Sequence, residues 1–218
     1  MCFISRIAGS WWRSYKFLEN HNKLFISTSA SIKMDLDKAI QERHSVRKFK
    51  EKKPDWRVIL ECIDSARFAP MAGGNYSVKF ILIDDLGKIK EIAEACQQSF
   101  VGTVNYIVVA CSSPGRTINA YGKQGETYVR QQAGAAIQNF LLKIEESGLS
   151  TCWVGFFVER EIKTILQIPE EVNVEAIFPI GFEYEKKKTK KAKIELDRIL
   201  YFNEYGRTRM KEPKKMNV

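Results

Sequence analysis

From residue 34 onward, apolar and polar positions follow two periods that predict alternating helices and strands. Apolar residues spaced three and four apart predict five helices: one that starts at residue 36, and others over 55–68, 86–99, 128–147 and 161–166. Short apolar runs predict strands over 79–84, 106–111, 151–157 and 175–181. Because helices and strands interleave, the pattern predicts an α+β or α/β fold with helices packed around one central sheet.

The connections between these elements are polar or rich in glycine. The stretch 112–125 is predicted to be a loop, and Gly148 is predicted to end the longest helix as a C-cap. Residues 194–202 are predicted to form a final extended arm. Trp153 and Phe157 lie in a predicted strand, so we expect both to be core residues.

The 218-residue chain carries a formal charge of +9, which at first favours a polyanionic partner. The excess is concentrated in residues 1–33 (+4), 185–193 (+5) and 209–218 (+3), so the remainder has a net charge of −3. Basic runs of this kind are usually solvated, and no aromatic residues interleave the lysines as a base-stacking surface requires. We therefore expect no nucleic-acid partner and assign the lysines to solubility.

The five cysteines are scattered and include no CxxC pair, which predicts free thiols, a cytoplasmic location and no metal site. No apolar run approaches the ~20 residues of a membrane span. Residues 1–33 lack the apolar core of a secretory signal, and we expect a poorly ordered extension; a weak interfacial helix around Trp11 and Trp12 is the alternative. Residues 34–210 are predicted to form the folded domain, and 211–218 a basic tail.

Candidate chemistry begins in the segment that follows the first helix. If the chain is extended there, the period of two places Arg43, Ser45 and Arg47 on one side. Two guanidinium groups and a hydroxyl then form an anion site, because arginine forks match phosphate oxygens. The alternative is an ordinary basic helix end that complements the helix dipole.

Two further segments could contact a flat ligand. In the stretch 70–75, adjacent glycines allow close backbone approach, and Asn75 can donate and accept at a heterocycle edge; the alternative is a simple turn. The stretch 148–157 could offer backbone N–H groups near Gly155, and its alternative is a core strand. Neither His21 nor His44 has a nucleophile-elbow setting, so the pattern favours a cofactor that brings its own chemistry.

Six motifs occur in a characteristic order: RxSxRxF from Arg43, APxAGGN from Ala69, YGKQG from Tyr121, QQAGAAIQNFLL from Gln131, GLSTCWVGFF from Gly148 and PIGF from Pro179. In this order and spacing they resemble the nitroreductase family of FMN-dependent oxidoreductases over residues 35–209. The resemblance implies an α+β homodimer whose central mixed sheet is wrapped by helices, with exchanged C-terminal arms and two FMN molecules at the subunit interface.

The resemblance also implies roles for individual residues. Arg43, His44 and Ser45 would hold the ribityl phosphate, and Arg47 would reach the pyrimidine side of the flavin. Asn75 of the partner subunit would meet the ring edge. The backbone at Val154 and Gly155 would donate to N5, and Arg207 or Arg209 would complete the phosphate clamp.

The implied reaction is a two-step exchange in which NADH or NADPH reduces the flavin and an electron-poor acceptor, such as a nitroaromatic compound or a quinone, reoxidises it. No catalytic side chain is implied, and residues 113–126 would cover the substrate. A non-enzymatic flavin or nucleotide binder, and specialised flavin chemistry such as dehalogenation or ring oxidation, are the alternatives. The chain departs from the family pattern at three places. It has Met71 where the family often has Ser, and Tyr76–Ser77 where the family usually has Gln-Pro. It has Gln131–Gln132 where an acidic residue is common in the family.

Overall fold

The computed structural model describes residues 35–185 and 194–210, so the predicted extension 1–33, most of the lysine run and the tail 211–218 lie outside the described residues. The regular elements are, in chain order, α1 (Leu36–Glu42), α2 (Trp56–Ala66), β1 (Val78–Ile83), α3 (Leu86–Ala95), β2 (Tyr106–Ser112), α4 (Gly115–Tyr121), α5 (Gln124–Glu146), β3 (Ser150–Thr151), α6 (Glu159–Leu166) and β4 (Asn173–Gly181).

The four strands form one sheet in the order β1–β2–β4–β3, and each neighbouring pair is antiparallel. A single parallel bridge joins Ser45 to Thr151 at the β3 edge. Every residue of β2 is buried, because this central strand is covered on both faces. Helices around a central sheet are the predicted arrangement, and the α+β expectation is confirmed.

The alternation of β2 divides the interior into two apolar clusters. Val108 and Phe178 pack with Phe140 of α5 on one face, which α2 also covers. Ile107 and Ile177 pack on the other face, against α3 and α6. Since successive residues of a strand point to opposite sides, both clusters follow from one continuous apolar run.

Side-chain caps and glycine fix several helix ends close to the predicted positions. The Asp55 carboxylate accepts a hydrogen bond from the Arg57 N–H at the start of α2, and Asp85 caps α3 in the same way. Gly148 follows α5 with a φ of +71°, a conformation that glycine adopts without strain. The predicted C-terminal end of the longest helix is therefore confirmed.

The structure corrects the expectations for two segments. The predicted loop 112–125 contains helix α4, and α5 begins four residues earlier than predicted. The predicted strand 151–157 is only the end of β3 followed by an isolated bridge at Val154, because the chain then leaves the sheet and exposes Gly155 and Phe156. The expectation of a core position for Trp153 is wrong, since 42% of this residue is exposed, whereas Phe157 packs against the second cluster.

The predicted arm 194–202 is not uniformly extended, since a 3-10 turn occupies Leu196–Arg198. Residues 194–210 expose most of their large apolar side chains: Ile194, Leu196, Ile199, Leu200, Tyr201, Tyr205 and Met210. Among the described residues, the backbone hydrogen bonds of this segment outside regular elements all lie within it.

Candidate functional site

The segment that follows α1 is attached to the edge of the sheet. The Val46 N–H donates to the Thr151 carbonyl over 2.9 Å, and Phe49 forms an antiparallel bridge with Glu183 beyond the end of β4. Val46 is buried while Ser45 and Arg47 are exposed, as expected for an extended segment with one face on the protein. The structure therefore places Ser45 and Arg47 on the same outward side.

Both arginines of this segment are without a carboxylate partner within the described part of the chain. Arg43 is half-buried and Arg47 is exposed, and neither guanidinium takes part in an ion pair there. Their N–H donors are available for an external anion, for which the Ser45 hydroxyl is a third donor.

His44 is held between two acceptors. Its Nδ1 donates to the Glu42 carbonyl over 2.8 Å, and its Nε2 donates to the Glu183 carboxylate over 3.0 Å. Burial lowers the pKa of His44, but the bonds to Glu183 and Glu42, with the charges of Glu183 and Glu145, together raise it above the ordinary 6.5. Both ring nitrogens face acceptors of the chain itself, so the donors of His44 are already used and are not open to an external anion.

The second candidate segment lies against the first. The Val154 N–H donates to Ile177 over 3.0 Å, and the Ile177 N–H donates back over the same distance. Val154 is thereby fixed to β4, and Gly155 is exposed with no backbone or side-chain partner for its N–H among the described residues. Because Thr151 of the same stretch bonds the 43–47 segment, the structure brings these two segments together, with Gly155 as the open donor.

The third candidate segment is a tight turn held elsewhere. Gly73 and Gly74 have φ values of +55° and +73°, which allow the chain to turn before Asn75. The Asn75 side chain makes no hydrogen bond within the described ranges, and none joins this loop to residues 43–47. In one chain, therefore, no hydrogen bond among described residues connects Asn75 to the arginines.

Arg207 and Arg209 lie in the C-terminal segment. The Arg207 carbonyl accepts from the Phe202 N–H over 2.8 Å, and its N–H donates to Glu204 over 3.2 Å, which closes a turn. Among described residues, no ion pair connects either arginine to the rest of the chain. Their role as phosphate ligands remains a prediction.

Two surface clefts, one between α1, α2 and α5 and one between α3 and α6, contain none of the candidate residues. Among the candidate donors, Ser45, Arg47 and Gly155 are instead exposed at the surface of the single chain. Sequence reasoning missed Glu183 and Gln132, which hold candidate residues in place. Glu183 gave no local signal because it is 139 positions from His44, whereas Gln132 was visible only as a departure from the family pattern.

The family model described as Nitroreductase family matches residues 40–102 and 92–182. These ranges span more than half of the chain, which therefore belongs to the nitroreductase family, a family of oxidoreductases. The resemblance drawn from the six motifs is confirmed. No described helix combines the length and apolar character needed to cross a membrane.

Three curated relatives show the range of similarity. The chain is 31% identical over 110 residues to a putative nitroreductase of Methanocaldococcus jannaschii, and this match spans 50% of the chain and about half of the relative (54%). It is 25% identical to a putative NADH dehydrogenase/NAD(P)H nitroreductase of Methanothermobacter thermautotrophicus, over 78% of this chain and 89% of that relative. It is 23% identical to an iodotyrosine deiodinase of Thermotoga neapolitana, over 65% of this chain and 85% of that relative.

Solved structures confirm the fold class. A nitroreductase family protein from Clostridium novyi NT superimposes with a TM-score of 0.63 at 26% identity, covering 80% of this chain and 96% of that one. An FMN-dependent nitroreductase from Clostridium difficile gives 0.66 at 21% identity (77% and 98% covered). The NADPH:FMN oxidoreductase of Vibrio harveyi complexed with NAD+ gives 0.69 at 19% identity (78% and 77% covered). The last two, below 25% identity, show the fold alone.

Proposed function

We propose that this protein is an FMN-dependent oxidoreductase that uses NADH or NADPH to reduce nitroaromatic compounds, quinones or similar electron-poor acceptors. The observation that carries the proposal is the pair of guanidinium groups, Arg43 and Arg47, without carboxylate partners in the described chain and on the same segment as the exposed Ser45. Solved relatives named as FMN-dependent nitroreductase and NADPH:FMN oxidoreductase support a flavin at such a site.

The donors present fit the groups of FMN. Arg43 and Ser45 would bind the phosphate, and His44 would hold the segment in place, since its own donors are used by Glu42 and Glu183. Gly155 would donate to the flavin N5, since the Val154 N–H is already bonded to Ile177. Arg207 or Arg209 would complete the phosphate contacts.

FMN held by these residues would supply the redox chemistry, which is hydride acceptance from NADH or NADPH and electron transfer to the acceptor. Arg47 at the pyrimidine side would stabilise the negative charge of the reduced ring and so raise its reduction potential. The segments 43–47 and 150–155 orient the ring because hydrogen bonds fix both to the sheet. No described side chain is required to act as an acid or base.

We further propose a homodimer with exchanged C-terminal arms. The uncovered apolar side chains of residues 194–210 would pack against a second copy, because an exposed apolar surface of this kind marks an interaction site. The partner subunit's Asn75 would then reach the ring edge, since within one chain no hydrogen bond joins described residues of its loop to segment 43–47. Light scattering on the purified chain would give twice the 25.1 kDa monomer mass.

The residues 34–210 would form the FMN-binding domain, and the cytoplasm is its proposed location. All four cysteines of the described chain are buried free thiols, as expected in a reducing compartment.

The decisive experiment measures FMN binding by quenching of flavin fluorescence. We expect the purified protein to bind FMN, and Arg43→Met to weaken binding about tenfold to a hundredfold, since a charge-assisted bond contributes about 1.5–3 kcal/mol. Arg160→Met, an exposed position on α6, is the matched control and should bind like the wild type. Reconstituted wild-type protein without bound FMN would refute the proposal.

A second candidate function is reductive dehalogenation, favoured by the similarity to the iodotyrosine deiodinase of Thermotoga neapolitana. Steady-state assays distinguish quinone reduction from dehalogenation, with a quinone as the acceptor in one assay and iodotyrosine in the other. NAD(P)H oxidation with the quinone alone supports the first proposal, and iodide release supports the second. A flavin binder that is not an enzyme would show neither.

A further inference from the structure

Gln132 is a buried amide whose two ends both bond the backbone of the loop that carries Asn75. Only 4% of Gln132 is exposed. Its Oε1 accepts from the Ser77 N–H over 2.7 Å, and its Nε2 donates to the Asn75 carbonyl over 3.3 Å. An N–H requires an acceptor and a carbonyl a donor, so the two backbone groups fix the orientation of the amide.

The same loop is held at two other points by residues of α4. The Ser77 and Thr117 hydroxyls are 3.0 Å apart and both are buried. Gly73 lies so close to the Tyr121 hydroxyl that an added Cβ would come within 2.3 Å of it. Helices α4 and α5 therefore hold the loop on both sides of Asn75.

This attachment concerns the backbone and leaves the Asn75 side chain open. Asn75 is half-buried, and within the described ranges its side chain has no hydrogen-bond partner. Burying an amide is costly unless its bonds are satisfied, and here Gln132 makes its bonds with the Asn75 carbonyl and with the N–H of Ser77, two residues further along. The arrangement fixes the backbone from which the Asn75 side chain projects.

We propose that Gln132 is a positioning residue that sets the placement of Asn75 at the edge of the flavin. The inference rests on the proposed FMN function, because the ligand that Asn75 contacts is that flavin. The loop that carries Asn75 would thereby connect the predicted substrate cover, residues 113–126, which contains α4, to the edge of the flavin ring. A displaced Asn75 would change the reactivity of the flavin more than the affinity of the protein for FMN. The reason is that residues 43–47, which would hold the phosphate, do not belong to this loop.

The first test replaces Gln132 with methionine, which keeps the length of the side chain and removes both hydrogen bonds. We expect kcat with a quinone acceptor to fall by about tenfold to a hundredfold, as misplacement of a contact residue does. FMN affinity should fall by less than about tenfold, because charge-assisted bonds at residues 43–47 hold the phosphate. The reduction potential of the bound flavin, measured by dye equilibration, should shift as well.

The second test uses Gln132→Glu, in which one oxygen still accepts from Ser77. The other oxygen would face the Asn75 carbonyl, a repulsive contact unless the carboxyl group is protonated. We expect kcat and the potential of this variant to approach the wild-type values as pH falls, and to resemble those of Gln132→Met as pH rises. A purely structural loss would not be rescued in this way.

The matched control is Gln138→Met, an exposed position on the same helix, which should leave all three measurements unchanged. Folded Gln132→Met with wild-type kcat and potential would overturn the inference. If that variant fails to fold, Gln132→Glu decides, and a pH profile identical to that of the wild type would overturn it. Wild-type protein without FMN would overturn the proposed function and this inference together, whereas bound FMN with unchanged variants would overturn the inference alone.

Discussion

The Glu183 carboxylate accepts a hydrogen bond from Nε2 of His44 over 3.0 Å, although 139 positions separate the two residues in the chain. The contact fastens the 43–47 segment to the residues beyond the end of β4. It also contributes to the raised pKa of His44, together with the bond from the opposite ring nitrogen to the Glu42 carbonyl. The position and the protonation of His44 thus both depend on Glu183.

This pair makes the stability of the protein dependent on pH. The pKa of His44 is raised in the folded state, so its contribution is fully present below the ordinary value of 6.5 and is lost as pH rises through the folded value. We expect the free energy of unfolding to decline over that interval, and Glu183→Gln to flatten the decline. Urea denaturation between pH 5 and pH 9, a range set by the ordinary pKa of about 6.5, would measure this.

The matched control is Glu185→Gln, an exposed carboxylate two residues further along. It should retain the wild-type pH dependence. An equal slope in Glu183→Gln and the wild type would show that the pair does not control the protonation of His44.

The ring of Phe49 packs on the backbone of Gly181 and leaves no space for a side chain there. A Cβ at this position would lie 2.9 Å from Cδ1 of Phe49, too close for both to stay in place. We expect Gly181→Ala to destabilise the protein by about 1–3 kcal/mol, the usual cost of overpacking. Gly115→Ala at the start of α4, where an added Cβ meets nothing within 4 Å, should be neutral or slightly stabilising. Equal unfolding midpoints for the two variants would contradict this.

The Thr151 hydroxyl is buried without a hydrogen-bond partner among the described residues. Replacement by valine keeps the shape and the β-branched character of the side chain and removes the unpaired group. We expect Thr151→Val to stabilise the protein by about 1 kcal/mol or more, the desolvation cost of such a group, and Thr151→Ser to give no such gain. A lower thermal midpoint for Thr151→Val would mean that the hydroxyl is paired.

Three buried thiols should be unreactive in the folded protein. Burial raises the pKa of Cys62 and of Cys111 to about 11, and that of Cys96 to about 12. Since the thiolate is the nucleophile, alkylation at pH 8 should be slower by at least about a hundredfold than in the unfolded chain. Maleimide labelling followed by peptide mass spectrometry, with and without guanidinium, would measure it. Rapid labelling of any of the three without denaturant would contradict the prediction.

The local pattern of the sequence was sufficient for most elements of the fold. The continuous apolar run of β2 and the one-sided spacing in α5 depend on neighbouring residues, so they predict a buried strand and a long helix directly. Alternation also placed Ser45 and Arg47 on one exposed side, around the buried Val46. The motif order, which belongs to the sequence alone, indicated the family.

What the sequence could not determine depends on contacts between distant residues. The stretch 151–157 has the composition of a core strand, yet it leaves the sheet after the bridge at Val154, and the 43–47 segment pairs with its start at Thr151. The partners of His44 and of the Asn75 loop come from Glu183 and Gln132, and no periodicity relates such pairs. The sequence by itself determined most of the elements and the basic donors, since these follow from local patterns. Only the tertiary structure decided which donors stay free and which are held, because that depends on which side chains the fold brings within hydrogen-bond distance.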